Sequence, residues 1–188
     1  MGKLLEACPS AIVEADDFGW SPLHYAAHFG NAKFVNLFLK KNMSLVYIKE
    51  KAGMSALHIS AKEGHVDVTR TLITECPDSC ELLDNKDRTA LHLAAESGNS
   101  KLVKVFLQTL ATEDLINQQD KEGNTPFHLA AMEGRYALLM MLAKDRRIDW
   151  MAMNKAGMST VDIIQSDKRL KSGKKVSPIN LKRYTEHN

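Results

Sequence analysis

Thr89-Ala90-Leu91-His92-Leu93-Ala94-Ala95 decides the reading of this chain, because it is one of five copies of a single phrase. The phrase stands upstream as Ser21-Pro22-Leu23-His24-Tyr25-Ala26-Ala27 and Ser55-Ala56-Leu57-His58-Ile59-Ser60-Ala61. It returns downstream as Thr125-Pro126-Phe127-His128-Leu129-Ala130-Ala131, and in a degraded form as Ser159-Thr160-Val161-Asp162-Ile163-Ile164. From Ser21 to Ser159 the intervals are 34, 34, 36 and 34 residues. Self-similarity at this period marks stacked modules, each too small to bury its own apolar face, which together build one continuous core. Such a stack is made to present a surface, so it points to binding rather than chemistry.

Working outward from the phrase, each copy reads as a turn, a short inner helix, an outer helix and a return loop. In Asp16-Asp17-Phe18-Gly19-Trp20 a turn forms around Gly19, which takes a positive φ without steric cost. Ser21 is placed to N-cap the inner helix, and Pro22 at its first position loses no needed N–H. The small pair Ala26-Ala27 lets the next repeat approach closely, and Gly30 ends the helix, as Gly64, Gly98 and Gly134 do later. Phe34, Val35, Leu37 and Phe38 then form the apolar stripe of the outer helix.

The copies begin at Asp16, Glu50, Asp84, Asp120 and Asn154. They divide the chain into four full repeats, 16–49, 50–83, 84–119 and 120–153, followed by a capping repeat at 154–167. The two extra residues of the third repeat fall in its Thr109–Gln119 connection, and Asp87 stands where the other copies have Gly. Residues 1–15 read as a partial repeat, because Leu4-Leu5-Glu6-Ala7-Cys8-Pro9-Ser10 aligns with Leu72-Ile73-Thr74-Glu75-Cys76-Pro77-Asp78 at an offset of 68. That ragged opening predicts a fragment of a longer array.

Charge separates the body from the tail. Residues 168–188 hold seven basic side chains and one acid, Glu186, for a net +6, whereas residues 1–167 carry net −4. An acidic body suits a cytoplasmic scaffold and argues against nucleic acid binding through the repeats, since phosphates need a basic face. The tail, with Ser172-Gly173-Lys174-Lys175 and Pro178, reads as a solvated linker, and contact with an anionic membrane is one expectation for it. No stretch approaches the ~20 apolar residues of a membrane span. Met1-Gly2 fails as a myristoylation signal because Glu6 occupies the Ser/Thr position.

Chemistry finds little support. His24, His58, His92 and His128 invite a metal reading, yet stacked helices sit ~10 Å apart while zinc holds its ligand nitrogens at ~2.1 Å. The expectation is that each imidazole bonds the backbone of a neighbouring turn. Cys76 and Cys80 have no second Cys or His pair at zinc spacing, and the three cysteines form no disulfide framework. Ser172-Gly173-Lys174-Lys175 lacks phosphate-loop spacing, and no metalloprotease or nucleophile-elbow motif occurs. No catalytic residue, metal or cofactor is expected.

The period and the T-P-L-H-x-A phrase resemble the ankyrin superfamily over residues 1–166. The fold class expected is all-α, an ankyrin-repeat solenoid of stacked helix pairs with β-hairpin-like turns. Three stretches are further similar to plant ankyrin proteins of the accelerated-cell-death type. They are Gly19 to Ala27; Met43-Ser44-Leu45-Val46-Tyr47 ahead of Gly53 to His58; and Asn154-Lys155-Ala156-Gly157-Met158 ahead of Val161-Asp162-Ile163. That resemblance implies cytosolic repeats followed by a multi-span membrane region, the PGG domain, and a role in defence, salicylate-linked signalling and stress. It would make the basic tail a juxtamembrane linker.

Copies agree at framework positions and differ at turn tips and inner-helix ends, which should line one concave side. The candidate partner-binding residues are therefore Phe18, Trp20, His28 and Phe29 in the first repeat and Lys51, Met54, Lys62 and Glu63 in the second. Lys86, Arg88 and Glu96 follow in the third, Lys121, Asn124 and Met132 in the fourth, and Met158 in the cap. Aromatics are densest around Trp20. The alternative for Trp20 and Phe29 is that they cover a preceding repeat or pack on their own turn. The function expected is a protein–protein interaction scaffold; the alternative is a soluble regulatory inhibitor masking an enzyme or transcription factor.

Overall fold

A computed structural model describes residues 14–109 and 113–167. The expected partial repeat (bar its last two residues), Cys8 and the basic tail lie outside them.

Inner helices α1 (Pro22–His28), α3 (Ala56–Glu63), α5 (Ala90–Ser97), α8 (Pro126–Met132) and α10 (Thr160–Ser166) begin at the repeated phrase. Outer helices α2 (Ala32–Lys41), α4 (Val66–Glu75), α6 (Ser100–Thr109) and α9 (Tyr136–Leu142) follow the first four, and a short α7 (Glu113–Ile116) lies in the third connection. Each inner helix packs on the next, α1 on α3, α3 on α5, α5 on α8 and α8 on α10, while α2, α4 and α6 stack behind them. The contact is close because Ala27, Ala61, Ala95 and Ala131 are all 0% exposed. Beside them Leu23, Leu57, Leu91 and Phe127 fill the space between layers, each buried. The core is thus one apolar column running the length of the stack.

The turns form a second column. Each folds back on itself through paired backbone bonds, such as Asp84 N–H to Arg88 O at 3.0 Å and Asp87 N–H to Asp84 O at 2.9 Å. Successive turns are then joined tip to tip: Lys51 N–H to Phe18 O at 3.2 Å, Asn85 N–H to Ala52 O at 3.0 Å, Lys121 N–H to Lys86 O and Lys155 N–H to Glu122 O at 2.9 Å. This is a hairpin ladder without strands. An isolated bridge, Met153 to Ser159, is the nearest approach to sheet among the described residues.

Asp87 holds φ +58° where other copies place Gly. A short polar side chain tolerates that left-handed backbone better than most. At Gly53, φ is +80° and a Cβ would stand 2.4 Å from Asn85 Oδ1, so packing as well as φ demands glycine there.

Two details refine the expected repeat. Helices α3 and α5 end on Gly64 and Gly98, but α1 and α8 stop one residue earlier, capped at Phe29 and Glu133. The third connection has α7, whose Ile116 is fully buried, in place of the 3-10 helices Met43–Tyr47 and Pro77–Glu81 of the first two repeats.

Candidate protein-interaction face

The four histidines belong to the scaffold. Nδ1 of His92 accepts the Thr89 backbone N–H at 3.0 Å and lies 2.9 Å from the Thr89 hydroxyl. A nitrogen that accepts a backbone N–H carries no proton, so the proton sits on Nε2. Nε2 in turn donates to Asn124 O, one repeat on, at 3.1 Å. The pattern recurs from His24 to Met54 O (3.2 Å), His58 to Arg88 O (2.9 Å) and His128 to Met158 O (3.0 Å). Each imidazole staples its own helix N-terminus to the next turn. Burial is the first cause that lowers the pKa of all four, that of His92 to about 4. In the last copy Asp162 Oδ2 accepts the Ser159 N–H at 2.9 Å and hydroxyl at 2.6 Å. It keeps the cap and drops the reach to a further turn. Among the described residues no cluster suited to a metal occurs.

The opening residue of each turn is also scaffold. Asp84 Oδ1 accepts Lys86 N–H at 2.8 Å and Arg88 N–H at 2.9 Å; Asp120 and Asn154 do the same in their turns. Arg88 places Nε 2.9 Å from Asp84 Oδ2 and reaches Glu96 at 3.4 Å. The Asp84 carboxyl lies below its usual pKa: burial alone would raise it, but the Arg88 backbone and side-chain bonds, with the Lys86 bond and the Arg88 charge, outweigh that.

Against this frame the candidate residues divide. Phe18 (70% exposed) and Phe29 (73%) stand in solvent. Lys51, Lys62, Glu63, Lys86, Lys121 and Met132 are exposed too. Met54 and Met158 are half-buried against the core. Arg88 and Glu96 are paired to each other. Asn124 is a correction: it is only 6% exposed and its side chain accepts from Asn154 Nδ2 at 2.9 Å, so it joins two turns and faces no partner.

The first repeat carries a connected set of rings. Trp20 lies 5.1 Å from Tyr25 and 5.4 Å, edge-on, from His28; His28 lies 5.0 Å from Phe29. Trp20 is half-buried and packs against rings of its own repeat. Tyr25 was missed, because it occupies a framework position. It is 42% exposed, and its hydroxyl donates to Asp16 Oδ2 at 2.5 Å. That bond is the leading cause of a lowered Asp16 pKa and a raised Tyr25 pKa. The available signal was Tyr25 standing where the other copies have Ile59, Leu93 and Leu129.

A ladder at the inner-helix ends was missed as well. His65 Nε2 lies 2.8 Å from His28 O, Asn99 Nδ2 donates to Gly64 O at 3.3 Å, and Arg135 Nε donates to Glu96 O at 2.9 Å. The polar residue after each helix-ending glycine was its sign. Cys76 and Cys80 are buried with pKa values pushed up, Cys80 to about 12, first by desolvation, so neither is a ready nucleophile.

Stacked helix pairs, a hairpin ladder and a row of stapling histidines define a repeat scaffold for binding proteins. The chain belongs to the ankyrin-repeat family: the family described as "Ankyrin repeats (3 copies)" matches residues 2–81 and 71–154. It is 36% identical over 53 residues to "Ankyrin repeat-containing protein BDA1" of Arabidopsis thaliana, a stretch covering 28% of this chain and 12% of that protein. It is 31% identical over 136 residues to a "Transient receptor potential cation channel subfamily A member 1 homolog" of Caenorhabditis elegans, covering 72% of this chain and 10% of that one. The chain thus spans about a tenth of the length of these curated relatives. It is a protein–protein interaction scaffold. No helix among the described residues is long and apolar enough to cross a membrane.

Proposed function

We propose that this array is the partner-binding, cytosolic part of a plant membrane-associated protein of defence or stress signalling, and that its first full repeat is the main contact. One observation carries the contact: Phe18 and Phe29 stand 70% and 73% exposed on the turn tip and inner-helix end of one repeat. A rigid stack holds them in place before binding, which limits the entropy lost on association. Aromatic anchors of this kind are worth ~2 kcal/mol or more each at an interface. The plant setting is supported by the similarity to the Arabidopsis protein and by the accelerated-cell-death phrases. Similarity to a channel homologue supports repeats of this kind occurring in a membrane protein.

The test is affinity capture with the wild-type chain beside Phe18→Ala/Phe29→Ala. The expected result is loss of the retained partner by about 30-fold or more, on the scale of one anchor, with unchanged circular dichroism. Equal capture by both chains would move the contact elsewhere. Trp20→Ala makes a poorer probe, because Trp20 also packs within its repeat.

A further inference from the structure

The first repeat carries a cross-brace between its two exposed rings. Asp16 opens the turn and uses both carboxylate oxygens. Oδ1 accepts the Phe18 N–H at 2.9 Å, and Oδ2 accepts the Tyr25 hydroxyl at 2.5 Å. A hydroxyl bonded to a carboxylate at that length makes a strong, charge-assisted bond. From there the contact continues through rings. Tyr25 meets Trp20 at 5.1 Å, Trp20 meets His28 edge-on at 5.4 Å, and His28 meets Phe29 edge-on at 5.0 Å. These centroid separations lie in the favourable range for aromatic pairs. Unbroken contact thus runs from the turn tip at Phe18 to the inner-helix end at Phe29. Its far end is tied to the second repeat, where His65 Nε2 donates to His28 O at 2.8 Å and Glu63 Oε1 lies 3.6 Å from His28 Nδ1.

Two observations tie the brace to the contact rather than to the stack. The other full repeats stack without it: Ile59, Leu93 and Leu129 stand in the place of Tyr25, and Lys62, Glu96 and Met132 in the place of His28. It also falls in the full repeat that has phenyl rings at both variable positions. Phe18 and Phe29 correspond to Ala52 and Glu63, Lys86 and Ser97, and Glu122 and Glu133 in the later copies. We propose that Asp16, Tyr25 and His28 are positioning residues of the partner contact, holding Phe18 and Phe29 at one separation before the partner arrives. This rests on the first repeat being the partner-binding one. An exposed phenyl ring at a loop tip or helix end samples several rotamers, and ordering it on association costs affinity. The brace meets part of that cost in the free chain. Tyr25 therefore acts through the two anchors, because its hydroxyl is already committed to Asp16.

The probe is the protein that wild type retains and Phe18→Ala/Phe29→Ala loses, purified and titrated against variants of the full chain. Tyr25→Phe removes the hydroxyl and keeps the ring. Asp16→Asn removes the charge at the other end of the bond. Asparagine opens such a turn in the last copy, where Asn154 Oδ1 accepts the Ala156 and Met158 N–H groups. Each variant should bind about 3- to 10-fold more weakly, the scale of ordering a side chain on association, with unchanged circular dichroism. The double variant should lose no more than either single, because both break one bond. On a Phe29→Ala background Tyr25→Phe should change affinity by less than about 2-fold, since a single anchor has no separation to fix. His28→Ala should match Tyr25→Phe, and His28→Phe, which keeps a ring between Trp20 and Phe29, should restore binding. Wild-type affinity in Tyr25→Phe overturns the proposal. So does an undiminished loss on the Phe29→Ala background, which would mean that the hydroxyl touches the partner itself. Both results leave the Phe18/Phe29 site standing, whereas equal capture by wild type and Phe18→Ala/Phe29→Ala removes the site and the role of the brace together.

Discussion

The first and third repeats share one turn-and-helix frame and present different surfaces. In both, an opening aspartate accepts two turn N–H groups, a phrase histidine staples the helix to the next turn, and a leucine fills the core. They diverge at the turn's fifth residue. Trp20 packs at an angle against Tyr25 and edge-on against His28 and leaves Phe18 and Phe29 in solvent, while Arg88 folds back on Asp84 and Glu96. One side chain turns a loop apolar or spends its charge internally. A periodic scaffold tolerates this because the turn's backbone bonds are made without that side chain.

The largest effect should come from the shared core. Leu91→Ala empties a site 1% exposed between two inner-helix layers and should cost roughly 2–5 kcal/mol in urea unfolding. A loss below ~1 kcal/mol would mean that the third repeat is loosely packed.

Acid comes next, and it tests the staples common to all four full repeats. Folded histidine pKa values lie below the unfolded 6.5, so the unfolded chain binds more protons as pH falls. Stability is therefore full above pH 6.5 and declines beneath it, for His92 until about pH 4. The slope is about 1.4 kcal/mol per pH unit for each histidine charged only when unfolded. Asp84 and Asp145, lowered from 3.8, act below that window. A midpoint in urea that stays flat from pH 7 to 5 would contradict the staples.

A reciprocal swap sharpens the comparison of the turns. Gly19, at φ +83°, would bring a Cβ within 3.2 Å of the Glu50 and Lys51 backbone, so Gly19→Asp should cost about 1 kcal/mol or more. Asp87→Gly relieves a φ of +58° and should gain at most ~1 kcal/mol. Thermal unfolding of the two variants should shift in opposite directions; a common direction would show that Asp87 contributes more than its backbone angle. The smallest effect belongs to Phe18→Ala and Phe29→Ala, within ~0.5 kcal/mol of wild type in stability. A larger drop would place those rings in the fold.

Much of the fold was legible because a repeat states its rules several times. Five copies separate what must recur from what varies, so the caps, the alanine pairs and the bond from each histidine to a neighbouring turn could be read without a structure. Reading sites from variation was less secure. Asn124 varies between copies yet is buried, because its carboxamide happens to meet Asn154 across the stack. Tyr25 sits in a framework position yet reaches solvent, because a tyrosine is longer than the leucine it replaces and finds Asp16 at its tip.

The sequence by itself determined the module, its period and the chemistry of each joint, since capping, small-residue packing and turn glycines act within a few residues or recur at a constant offset. Only the tertiary structure decided which variable side chains face outward. That outcome depends on contacts between residues some 30 positions apart, such as Asn154 with Asn124, and on whether a charged or aromatic group finds a partner in its own repeat. Local pattern carries no record of those distances; stacking the modules creates them.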